Sequence, residues 1–178
     1  MVLNDKKAMG IGQVFVFIVA AITFAVIMIF GYRAISGFLN SGQDVAFVQF
    51  KTHMESSVKK LYTEYGSVRV EEFTTPSKYK QICFVNLDAE YDPDFCNFDQ
   101  AGCTVWQQSS GYDSVDENVF LKPPAPVKIK VYKISIDPEV GKNFLCMDIK
   151  NGFFKIVMEG KGDRTELSLV PPSQSGSN

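Results

Sequence analysis

From Val14 to Tyr32 the chain runs 19 residues without a charge, broken only by Thr23. At 1.5 Å per residue such a helix is about 29 Å long, close to the ~30 Å hydrocarbon thickness of a bilayer. A cleaved secretory core is shorter, roughly 7–15 residues, and ends at small residues. Here the run ends in Phe30-Gly31-Tyr32-Arg33. A soluble core helix of this length usually keeps a polar stripe, and this one has none. The run therefore reads as a membrane-spanning helix that stays with the protein.

Lysine bias gives the span a direction. Lys6, Lys7 and the terminal amine precede it, against Arg33 alone just beyond. The N-terminus is expected in the cytoplasm and the rest outside. Tyr32 and Arg33 then serve as interface anchors, one aromatic and one snorkelling.

The residues around the start resemble a known family. "KKAMGIGQVFVFIVAAITFAVIMIF" is similar to the N-terminus of archaeal type IV pilin-like proteins and archaellins. In that family a prepilin-type peptidase cuts between a basic, small-residue leader and the apolar helix. The resemblance implies processing at Lys6, Lys7, Ala8 and Met9, with the mature chain starting at Met9. Gln13 stands at the fifth mature position, where bacterial-type pilins carry glutamate. The resemblance also implies self-association of the helices into a filament. Phe15, Phe17, Phe24, Ile27 and Phe30 would supply the contacts, and Ala20, Ala21 and Ala25 would permit close approach.

A second helix is expected from Gln43 to Tyr65. Phe47, Phe50, Met54, Val58, Leu61 and Tyr65 recur at steps of three and four, which makes one apolar face. Ser41 is a candidate N-cap, Gly66 a candidate stop, and Ser41-Gly42 either a hinge or a kink within one long helix. His53 lies beside the stripe as a solvated or half-buried helix residue.

Beyond Gly66 the period changes and about five or six mostly antiparallel strands are expected. "SVRVEEF", "KQICFVNL" (80–87), "PVKIKVYKISID", "NFLCMDIK", "FFKIVMEG" and "RTELSLV" carry them. The phase slip between Val131 and Ile134 predicts a bulge near Tyr132-Lys133. Asn151-Gly152 signals a type I′ hairpin, and "GKGD" (160–163) another turn. The expected class is thus α+β: a long N-terminal membrane-spanning then amphipathic helix, followed by a small antiparallel β-rich, disulfide-linked domain. This is also the pilin-like layout. The divisions are a leader 1–8, a span 9–40, an amphipathic helix 41–66, a β-rich domain 67–170 and a disordered tail 171–178.

Four cysteines, all after the span, suit two disulfides in an exported domain, with buried free thiols the other reading. Of three connectivities the preferred one joins Cys83 to Cys146, each inside a strand, and Cys96 to Cys103 around a surface loop. Residues 88–121 hold eight carboxylates and no lysine or arginine. They are expected to form a long irregular loop. Calcium is the sharp reading of these acids, but EF-hand spacing is lacking, and a solvated acidic surface fits better. Phe95, Phe98 and Trp106 either cover the sheet or form a contact patch. Lys122, Lys128, Lys130 and Lys133 follow. They form either the wet face of an edge strand or a partner for the acidic loop of a neighbouring subunit.

Chemistry is otherwise absent from the pattern. There is no nucleophile elbow, no H-E-x-x-H and no phosphate loop. The single histidine has no partner for catalysis, and no zinc spacing occurs. A net charge of -2 does not suit nucleic acid. The expectation is a non-enzymatic membrane and surface protein without metal or cofactor. It is either a filament subunit or an uncut anchored ectodomain that binds a ligand or partner.

Overall fold

The computed structural model describes residues 8–171. The leader lysines Lys6 and Lys7, and tail residues 172–178, lie outside the described residues. Helix α1 is assigned from Ala8 to Tyr62. The chain divides into two compact units, one ending at Val45 and the other beginning at Ala46. No helix begins at Ser41, so the expected cap there is not used.

In the second unit, α1 buries the expected stripe. Phe47, Phe50, Met54, Val58 and Leu61 are all buried. Tyr65 is not; it is 83% exposed. The helix ends at Tyr62, so the helical period no longer applies to it. The Glu64 N–H turns back onto the Leu61 carbonyl, and the Gly66 N–H donates to the Gly160 carbonyl instead. His53 is exposed, with its ring 5.1 Å from that of Phe73.

Seven strands follow: β1 (Val68–Thr74), β2 (Gln81–Val85), β3 (Val119–Lys122), β4 (Ile134–Ile136), β5 (Phe144–Asp148), β6 (Phe153–Gly160) and β7 (Thr165–Ser168). They form two sheets, ordered β1-β6-β7-β4 and β3-β2-β5. One pairing departs from the antiparallel expectation: β4 runs parallel to β7. The β6–β7 hairpin fixes β7 opposite to β6, and β4 takes the open side of β7 in the same direction.

One core joins the α1 stripe to Phe73, Phe154, Ile156 and Met158 of the first sheet and to Ile82, Phe84 and Leu145 of the second. The other face of the second sheet, with Cys83, Val85, Phe120 and Phe144, is covered by Phe95, Cys103 and Trp106. Strand β2 is therefore buried on both faces. This is why "ICFV" reads as a continuous apolar run rather than an alternating one.

The sequence signals at two turns were met in different ways. Lys161 and Arg164 close the β6–β7 hairpin as expected, with the Lys161 N–H on the Arg164 carbonyl at 2.9 Å. Asn151 and Gly152 have φ of 55° and 80°, the type I′ signature, and Lys150 and Phe153 exchange two hydrogen bonds of 2.9 Å. Yet β5 pairs with β2 while β6 pairs with β1. The turn forms, but its strands diverge into different sheets after a single bridge. The buried Ile149 is held elsewhere, its N–H on the Lys80 carbonyl.

The expected strand over 127–133 with a bulge at Tyr132-Lys133 is not present. Only one bridge, Val119 to Ile129, forms there. Pro123, Pro124 and Pro126 remove ladder donors just before it. Ile129 and Val131 are still fully buried, and a side chain replaces the missing ladder. The buried Asn118 accepts from the Val131 N–H at 2.8 Å and donates to the Val131 carbonyl at 3.2 Å. Asn118→Ala leaves both backbone groups unpaired in the core. The expected loss is about 2–4 kcal/mol, read from denaturant midpoints. An unchanged midpoint would sink this account of the segment.

Candidate functional site

The apolar helix is the first site candidate. Gln13–Ala34 is long and apolar enough to cross a membrane, and none of its apolar window is buried. Phe15, Phe17, Phe24, Ile27 and Phe30 are each more than 60% exposed. The one hydroxyl along its middle, on Thr23, donates to the Val19 carbonyl at 2.8 Å. A polar group satisfied inside the helix is tolerable in hydrocarbon. Phe17, Ala21 and Phe24 share one face at helical spacing, flanked by Ala25 and Ile27. Phe15 and Phe30 point away from that face. Ala8 and Met9, the expected cleavage junction, are the first two residues of α1.

The acidic stretch is the second candidate. Residues 88–121 are not one irregular loop. They hold a 3-10 turn at Pro93–Asn97, helix α2 at Gln100–Gln107, and a second 3-10 turn at Tyr112–Ser114. The carboxylates account for this order. Asp92 caps the first turn through the Asp94 N–H, and Asp99 caps α2 through the Gly102 N–H at 2.9 Å. Asp-Pro at 92–93 and Asp99 ahead of "QAGCTVW" were the sequence signals for these starts. Once capped, α2 turns Cys103 and Trp106 inward, where Trp106 meets Phe95 and Phe144. Of the three aromatics weighed as cover or contact patch, Phe95 and Trp106 are cover.

Both disulfides take the preferred pairing. Cys83 is bonded to Cys146 at directly opposed positions of β2 and β5. Cys96 is bonded to Cys103, tying the 3-10 turn to α2. The Tyr91 hydroxyl donates toward both of those sulfurs, at 2.8 and 3.1 Å.

The acids meet the lysine run inside one chain. Asp88 accepts from the Tyr112 N–H at 2.9 Å and faces Lys133 at 3.6 Å. Lys130 lies 4.1 Å from the centre of the Tyr112 ring, and Lys122 sits 5.6 Å from that of Phe98. Asp94 pairs with Lys142 at 3.0 Å. Burial pushes the Tyr112 hydroxyl pKa up, and the neighbouring Tyr132, Asp113 and Asp88 add to it. Burial also raises the Glu117 carboxyl, against the opposing pull of Lys128. Among the described residues, no group of three or more His, Cys, Asp or Glu side chains could hold a metal ion.

No protein-family model, curated protein or solved structure matches this chain.

Proposed function

We propose that this chain is a membrane-anchored cell-surface protein and serves as a pilin-like filament subunit with a structural or adhesive role. The N-terminus stays in the cytoplasm and the disulfide-linked domain faces outside. A prepilin-type peptidase removes the leader between Ala8 and Met9, and the helices of many copies then associate. The role is mechanical and needs no catalytic group or cofactor.

The observation that carries this reading is the 22-residue span Gln13–Ala34, uncharged from Val14 to Tyr32 and with none of its apolar window buried. Water is a poor solvent for such a surface, so lipid or other helices must cover it. Two disulfides in the second unit support an oxidising compartment.

Mass spectrometry of the protein from membranes or filaments tests the cut. A mature chain beginning at Met9 is expected, and Ala8→Asp should abolish processing, leaving the full-length form. Electron microscopy of the processed protein should show helical filaments. A specific residue favours a second reading. Gln13 replaces the glutamate that bacterial-type pilins carry, so docking by that charge is not available here. A membrane-bound protein that starts at Met1 or Val2 and forms no filaments would replace the filament reading with an uncut, anchored ectodomain.

A further inference from the structure

The four-stranded sheet has two edges, and they differ. β4 is three residues long and lies between Lys133 and Pro138, residue types that guard an edge. β1 is seven residues long, with no lysine, no proline and no break in its register against β6.

The ladder shows which backbone groups of β1 are open. The Gly160 N–H donates to the Ser67 carbonyl at 2.9 Å, and the Thr75 N–H to the Gly152 carbonyl at 2.7 Å. Both bonds continue the β1–β6 register, so Arg69, Glu71 and Phe73 turn their N–H and C=O groups to β6. Val68, Val70, Glu72 and Thr74 turn theirs the other way, where no backbone partner meets them among the described residues. All four side chains are exposed, Val68 by 60% and Val70 by 47%. A row of unpaired donors and acceptors beside exposed valines is a template for another strand.

The charges on β1 select that strand. Arg69 and Glu71 stand on the other face, with the buried Phe73. Arg69 holds Glu64 at 2.8 Å, and Glu71 is in no ion pair among the described residues. An incoming strand must bring each of them an opposite charge, since like charges set directly opposite are destabilising. A second copy of β1 brings both when the two strands run antiparallel and are centred on Val70. Arg69 of each copy then stands opposite Glu71 of the other. The five donors of the guanidinium can serve Glu64 and that carboxylate together. Centring on Arg69, Glu71 or Glu72 sets a charge against its own copy instead. The Val70 centre also places Val68 opposite Glu72, whose carboxylate is held by Lys155 at 3.0 Å. It closes about six backbone hydrogen bonds.

We propose that β1 is a self-recognition edge, through which two copies of this chain join β1 to β1, antiparallel about Val70, into one continuous sheet across a two-fold axis. The contact goes beyond the helix association of the filament reading and stands whether or not the leader is cut. Cysteine cross-linking of the full chain in detergent tests it under mild oxidation. Val70→Cys places two thiols on Cα atoms about 5.5 Å apart, within the span of a disulfide, and should give a covalent dimer. Glu72→Cys is equally exposed but lies more than about 13 Å from its copy in this register. It should cross-link roughly tenfold less, and it measures the encounters that the apolar helices alone produce. Peptide mapping should show Cys83–Cys146 and Cys96–Cys103 intact in both variants. Glu71→Arg, which breaks no ion pair within the chain, should lower the Val70→Cys yield severalfold by setting like charges opposite. Adding Arg69→Glu to it should restore the yield. No dimer from Val70→Cys would overturn the proposal, as would equal yields from the two cysteine positions. So would a yield indifferent to Glu71→Arg. A cross-link from Val70→Cys to a different protein in membranes, with none to itself, would overturn the second copy as the occupant.

Discussion

Gly160→Ala should unfold the second unit at a temperature roughly 10 °C or more below that of the parent chain. Gly160 ends β6 directly against the C-terminal turn of α1. A Cβ built there would strike the backbone carbonyls of Leu61 and Glu64. Neither is the movable end of a side chain, so the strand and the helix end must separate. That separation also breaks the hydrogen bonds Gly160 makes with Gly66 and Ser67. Overpacking against rigid backbone costs about 3 kcal/mol, at the upper end of ordinary single substitutions. The comparison is Gly42→Ala, where an added Cβ meets nothing within 4 Å and helix propensity favours alanine. Circular-dichroism melts of both variants decide the matter. If Gly160→Ala melts within about 2 °C of the parent, the contact does not hold the helix end on the strand.

Removing the Cys83–Cys146 bond by paired alanine substitution should cost about 4 kcal/mol. It closes a loop with a sequence separation of 63, whereas Cys96–Cys103 spans only 7. Loop-closure entropy gives the shorter bond about 2.5 kcal/mol, so the two paired variants should differ in that order. Guanidinium midpoints of the full chain in detergent measure both. Equal midpoints, or a larger loss from the Cys96 and Cys103 pair, would contradict the ordering. The two bonds also act in different places. The first staples a strand covered on both faces, and the second holds α2 over that strand's outer face.

The parts of the fold legible in the sequence are those set by local periodicity and turn chemistry. The stripe from Phe47 to Leu61, the apolar block at β2 and the turn at Asn151-Gly152 were each readable because neighbours in sequence determine them. What could not be read was where a strand goes after its turn. The signal at Asn151-Gly152 specifies two positive φ angles, but not that Ile149 is held by Lys80 and drawn to the other sheet. The strand expected over 127–133 failed for a similar reason. Its alternation marked Ile129 and Val131 correctly as buried, but Val127, its third apolar position, is exposed, and the Asn118 side chain supplies the hydrogen bonds at Val131. In the acidic stretch, Asp92 and Asp99 were counted as charge when their positions made them caps.

The strand order sets a schedule for the nascent chain. β1 pairs only with β6, and β2 finds its disulfide partner only in β5. The first sheet is completed by β7, close to the end of the described residues. Until β5 and β6 have been made, β1 lacks its strand partner and β2 lacks its second one, although the helix stripe and the Phe95–Trp106 cover are already in the chain. Such long-range pairing is slow to form, because closure of large loops precedes any gain from contact. The apolar helix is finished long before that. A chain of this topology thus completes its apolar helix first and its domain afterwards, with Cys83 lacking its partner until Cys146 has been made.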